Sequence, residues 1–172
     1  MSLSMYQISV PVFIRGFSIL SALIAKAEAY AAEKKIDPNV LVNARLAPDM
    51  LPFSGQVQRA SDTSKATIGR LTDVKTPSFP DTETSFADLK TRIANTVAFL
   101  EGLDASALDT SDQREVTLSF GENKAHLDGH GYMLKFALPN FFFHITTAHD
   151  ILRHNGVPIG KLDYLGAYSN SM

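Results

Sequence analysis

Apolar residues recur at steps of four and three from Val10 to about Lys34, where Phe13, Phe17, Leu20, Ile24, Ala27 and Ala31 form one stripe. That spacing matches the 3.6-residue turn and predicts a long amphipathic helix, with Pro11 in its first turn and Asp37-Pro38 as its break. Met5 to Ile8 add a possible preceding turn, and Asn39 to Ala47 read as one short helix. Pro48-Asp49 and Pro52 then open a second long helix whose inward positions are Phe53, Val57, Ala60, Ser64, Ile68 and Leu71. Its face is smaller and more polar than the first.

Residues 72–84 (TDVKTPSFPDTET) have no period and contain two prolines, so they read as a connector. At about 3.3 Å per residue it could reach about 40 Å, enough to cross a bundle. Ser85 with Asp88 resembles a capping box, and Phe86, Leu89, Ile93, Val97 and Leu100 mark a third helix that Gly102 ends. Val116 to Leu127 alternates and turns at Gly121-Glu122-Asn123, a small β-hairpin. The following segment fits two periods. Tyr132, Leu134, Phe136 and Leu138 alternate like a strand, while Leu134, Leu138, Phe141, Ile145, Ala148 and Leu152 form a continuous helical stripe. The longer pattern favours a fourth long helix from about Gly129, capped by Asp128, bent near Pro139 and stopped at Gly156. Val157 to Met172 carry no period and are expected to lie along the bundle through Ile159, Leu162, Tyr164 and Leu165.

Composition narrows what such a chain can do. Its 172 residues, 45% apolar, suit a single domain over 1–172. Sixteen basic against 18 acidic residues give no footprint for nucleic acid or an anionic membrane. The absence of cysteine removes disulfides, thiolate metal sites and a cysteine nucleophile, and suits a cytoplasmic protein. No signal-peptide pattern and no apolar run near the length of a membrane span are evident. Phosphate loops, nucleophile elbows and His-Glu metalloprotease helices are missing as well.

The candidate chemistry lies in the last long helix. All five histidines fall in the final third, but His144, His149 and His154 are spaced by five, roughly 140° around a helix, so no two share a face. His130 lies on the order of 20 Å from His144 along the axis. His144 is the ring placed on the buried arc, with Asn140 one turn behind it, a pair of which only the histidine is a good transition-metal ligand. His149 and His154 are expected to be structural and His126 solvated. Gln56, Gln58, Arg59, Asp62 and Lys65 crowd the second long helix with polar groups, and Gln56 is the one placed to meet His144. Phe141, Phe142 and Phe143 cannot all enter one core, since neighbours on a helix point about 100° apart. The hairpin, the tail or a second subunit must cover at least one.

SMYQ near the start, RLAPDMLPF at 45–53, QVQ at 56–58, LPNFFFH at 138–144, ILRHNG at 151–156 and GKLDYLG at 160–166 together resemble a domain-of-unknown-function family. That family is grouped with the DinB/YfiT-like metalloenzyme superfamily. The resemblance implies an all-α four-helix bundle with a long crossover between the second and third long helices, often as a homodimer. Metal-bearing members of the superfamily use one histidine of the second helix and two at i, i+4 on the last, commonly for nickel or zinc. Matching the Leu-Arg before the closing glycine to Leu152-Arg153 places that pair at Asn140 and His144. The second helix has no histidine between residues 50 and 72 and offers Gln56 instead, so the implied metal site keeps His144 alone.

Three functions are consistent with these residues. A bundle that has lost its metal would bind a small ligand through His144, Gln56, Asn140, Gln58 and Asp62. An enzyme related to the superfamily's thiol-dependent transferases, isomerases and hydrolases would use His144 as catalytic base or weak metal anchor, with Asn140 and Gln56 orienting a carbonyl or water. A structural homodimer would use the same polar groups only to satisfy one another.

Overall fold

The chain forms four long helical segments, and the computed structural model describes residues 3–166. Helix α1 (Val10–Lys34) buries the whole stripe from Phe13 to Ala31. It ends at Lys35, whose left-handed backbone (φ 55°) returns the N–H to the carbonyls of Ala31 and Ala32. By length and apolarity α1 could cross a membrane, but half of its most apolar window is buried by the rest of the chain. Helix α2 (Pro38–Val42), capped by the Asp37 carboxylate on Asn39 N, is shorter than the 39–47 span expected. The Asn43 amide takes the Asn39 carbonyl there, and the chain turns away.

Helix α3 (Phe53–Leu71) buries every expected inward position, and adds Ser61, Thr63 and Thr67. These hydroxyls are bonded within or across the bundle, as in the 2.8 Å contact of Ser61 with Thr96, so a thin polar face can be buried without orphaned groups. Helix α4 (Phe86–Glu101) begins with the expected Ser85–Asp88 capping box. Around the bundle α1 packs on α4, α4 on α3, α3 on the last long helix, α6 (Leu138–His154), and α6 back on α1, and the α3–α6 seam is the most extensive. The connector crosses between α3 and α4 as expected.

Strands β1 (Val116–Phe120) and β2 (Asn123–Leu127) pair antiparallel, with Phe120 opposite Asn123 and Gly121 at φ 61° in the two-residue turn. Helix α5 (Gly129–Tyr132) starts at the Asp128 cap and leads through a π-helical turn (Met133–Ala137) into α6 (Leu138–His154). The π turn corrects the expected stripe. Pro139 has no N–H for the Lys135 carbonyl, and Leu138 N–H reaches back five residues to Met133 O, which inserts one residue into the helical phase. Upstream of it Tyr132, Met133 and Ala137 are buried, while Leu134 is 53% exposed.

Gly156 (φ 88°) stops α6. The segment after it is not wholly irregular, because Lys161–Leu165 form a short helix, α7, whose N-terminal Gly160 N–H is held by Asp163. Val157 and Ile159 are buried as the tail follows the bundle, but Leu162 is 80% exposed and plays no part in the contact. Met172 and the other residues beyond 166 lie outside the described residues.

Candidate functional site

His144 and Gln56 meet at the α3–α6 seam, 2.8 Å apart between Nδ1 and Oε1. The Gln56 amide is oriented by its own Nε2, which donates to Leu51 O at 3.0 Å, so the oxygen faces the ring. An amide oxygen only accepts, and His144 Nδ1 is therefore the protonated nitrogen. Nε2 is left with its lone pair and has no hydrogen-bond partner among the described residues. Burial first, and then the Arg59 guanidinium, push the imidazole down to about 4 from its usual 6.5, so it is neutral at pH 7.

One turn earlier on α6, Asn140 Nδ2 donates to Thr63 Oγ1 at 2.8 Å, and the Thr63 hydroxyl donates to Arg59 O at 2.7 Å. Two side-chain rungs, His144–Gln56 and Asn140–Thr63, thus tie α6 to α3. Thr63 carries no signal in the sequence beyond its phase, seven residues after Gln56, which brings it back to the same face of α3.

Gln58 and Asp62 serve another face. Gln58 Nε2 donates to Glu83 in the crossover at 2.8 Å, and Asp62 accepts from Arg92 of α4 at 2.7 Å while pairing with Arg59 and Lys65. Arg92, with only 1% of its side chain exposed, also holds Glu83, Asp81 and the Pro80 carbonyl. Burial works against its charge, but Glu83, Asp62 and Asp81 outweigh it and hold the guanidinium above its ordinary value. The clasp left no trace in the sequence because two of its acids, Asp81 and Glu83, lie in a segment without period. A cavity of about 300 Å³ beside it is lined by Phe79, Pro80, Glu83 and Arg92, and another of about 380 Å³ by Asp62, Lys65 and Asp81. Neither has His144, Gln56 or Asn140 in its walls.

The remaining histidines sort by exposure. His126 is exposed on the hairpin near Thr117 and Glu115, as expected. His130 and His154 are exposed, and His149 is largely covered by the tail. Of the three phenylalanines, Phe141 is buried, Phe142 half-buried and Phe143 54% exposed, with its ring edge-on to His144 at 5.4 Å. No part of the described chain fully covers Phe143.

The donors do not fit a nickel or zinc centre. Among the described residues no group of three or more His, Asp or Glu side chains is arranged to hold a metal ion. At the seam Gln56 Oε1 is engaged by His144, and Asn140 presents an amide that donates to Thr63.

The depressed imidazole makes a measurable prediction. Because the unfolded chain binds this proton more readily between about pH 6.5 and 4, the stabilisation is complete above that window and falls as pH drops through it. Allowing for solvent at the half-buried ring, we expect the loss to be about 1–2 kcal/mol. Denaturant melts at about pH 7 and about 4.5 should show a smaller acid loss in His144→Gln than in the parent. Equal losses would mean that the ring is protonated without penalty.

Comparison with known proteins places these features in a family. Residues 5–165 match the family described as Domain of unknown function (DUF1993). A crystal structure described as a DinB family member protein from Shewanella denitrificans is 41% identical, with a TM-score of 0.87 over 95% of this chain and 92% of that one. A search of curated proteins gave no match.

Proposed function

The chain belongs to the DUF1993 family of uncharacterised DinB-like bundles, and from that premise we propose that it binds a small polar ligand at the α3–α6 seam, with His144 Nε2 as the contact atom. The observation that carries this reading is the locked tautomer: Gln56 holds the proton on Nδ1, which leaves an unpartnered lone pair on Nε2. Such an atom takes a hydroxyl or N–H donor. Catalysis of the transferase, isomerase or hydrolase kind is the weaker alternative, since a base whose conjugate acid is depressed to about 4 abstracts protons poorly near neutral pH. With a single imidazole at the seam, the implied metal site is degenerate, and the ligand is bound without nickel or zinc.

Gln56 sets the ring and Asn140 ties α6 to Thr63, so neither amide is the ligand contact. A homodimer is the second reading, favoured by the exposed Phe143 beside His144, and would bring a partner surface over the same seam. The cysteine-free composition suits a cytoplasmic setting.

The test is a thermal-shift screen of small alcohols, amides and sugars on the parent and on His144→Leu. Compounds that raise the melting temperature of the parent alone support the reading. If every active compound acts equally on both proteins, or none acts on the parent, ligand binding at His144 is wrong.

A further inference from the structure

The tail that follows α6 is fastened by a second histidine whose two ring nitrogens both face acceptors. His149 Nδ1 lies 3.0 Å from Asp150 Oδ1, and Nε2 lies 3.3 Å from the carbonyl of Gly160, the residue that begins α7. A carboxylate and a carbonyl can only accept. A neutral imidazole carries one N–H and can satisfy one of them, whereas an imidazolium carries two and satisfies both.

We propose that His149 is a proton-operated clasp, which in its doubly protonated form pins the start of α7 to α6 and on losing a proton loosens the segment 157–166. The charged groups that face the ring come from α6, α7 and α1. Asp150 contributes from α6 itself. From α7, Asp163 acts on His149 by charge while pairing with Lys26 of α1. Tyr164 of α7 sets its ring edge-on to the imidazole at 6.0 Å, and its hydroxyl is bonded by Thr146 at 3.0 Å. Lys26 is the opposing cation, and it is already spent on Asp163.

Of the side-chain types at this contact, imidazole is the one that as a class can exchange its charge between about pH 5 and 8. The Lys26 pairing holds Asp163 below the usual carboxylate range. The other ties of the tail, the Arg15 guanidinium on the Leu165 carbonyl and the buried Val157 and Ile159, therefore persist while the histidine lets go. Loosening is local and starts at Gly160, where the cap of α7 meets the ring.

Hydrogen–deuterium exchange of peptides spanning 157–166 tests this, at about pH 5.5 and about pH 8 with intrinsic exchange corrected. We expect protection in the parent to fall roughly tenfold across that range, and to show no step in His149→Gln. Asp150→Asn, a change at a half-exposed side chain, weakens one acceptor and should move the step to lower pH. Protection in the parent that is equal at both pH values overturns the clasp. So does a step retained in His149→Gln, or one whose midpoint is unmoved in Asp150→Asn.

Discussion

Arg92→Met is expected to destabilise the fold by about 3 kcal/mol, more than any change at the His144 seam. The guanidinium is buried between α4, α3 and the crossover, where Nη1 reaches Glu83 at 2.8 Å and Asp81 at 3.0 Å and Nη2 reaches Asp62 at 2.7 Å. Methionine fills much of the volume but leaves three acids without their shared cation. Asp62 and Asp81 keep Arg59, and Asp62 keeps Lys65, so the penalty concentrates on Glu83, whose side chain is 10% exposed. Burial alone would push Glu83 up, and bonds from Arg92 and Gln58 hold it below its ordinary value instead. A carboxylate with a depressed value stabilises the fold above its unfolded titration and loses that contribution as pH falls. Arg92→Met should therefore also flatten the acid limb of the stability profile.

In a thermal melt the change corresponds to a drop of roughly 6–12 °C for a chain of this size. Adding Glu83→Gln to Arg92→Met should recover most of it, because the neutral amide can keep its contact with Gln58 without a buried charge. A single substitution that costs under about 1 kcal/mol would show that the clasp is solvated and contributes only as a surface pair.

Phe141→Ala should cost about 4 kcal/mol, the largest effect expected from any core truncation along α6. The ring is fully buried, with Phe13 at 4.8 Å and Phe17 at 5.4 Å edge-on, and its tip fills the space that a side chain at Gly16 would need. A Cβ at Gly16 would stand 2.4 Å from Phe141 Cε1, a distance that no non-bonded pair of carbons tolerates. Glycine inside a helix weakens it by about 1 kcal/mol relative to alanine, and here that weakening is offset by a ring laid against the backbone of α1.

Gly16→Ala alone should therefore destabilise by about 2 kcal/mol despite the gain in helix propensity. With Phe141→Leu, whose shorter side chain vacates the contact, the same Gly16→Ala change should cost little. A double-mutant cycle measured by denaturant midpoints should give a coupling of at least about 1 kcal/mol. Strict additivity of the two changes would mean that α1 and α6 adjust without contact between these positions.

The helices were legible wherever one face had a single environment. The stripe of α1 and the six inward positions of α3 are all buried, because a 3.6-residue period against one core leaves a repeating trace. The Ser85–Asp88 box, the Asp128 cap and the stop at Gly156 were legible for a local reason, since each satisfies backbone groups within a few residues. The same local logic failed at Leu134. There one missing N–H at Pro139 widened the turn, so that Leu134 faces outward while Tyr132, Met133 and Ala137 take the buried face.

The candidate site was legible in half. His144 with Gln56 could be paired from the phase of two helices, as could the placing of Asn140 on the same arc. Gln58 and Asp62 could not be separated from Gln56 in this way. Which of several polar residues on α3 turn to α6 and which to the crossover depends on the angle at which the helices pack.

The order of residues by itself determined the long helices, the hairpin, the connector between α3 and α4, and an ionisable ring on the buried arc of α6, because periodicity and capping are properties of neighbouring residues. Tertiary structure alone decided that Gln56 orients the ring and fixes its tautomer, that Arg92 gathers acids from α3 and the connector, and that His149 faces two acceptors. Those contacts join residues 88, 30 and 11 positions apart. Long-range electrostatics and hydrogen-bond geometry depend on distances in space, which no pattern along the chain encodes.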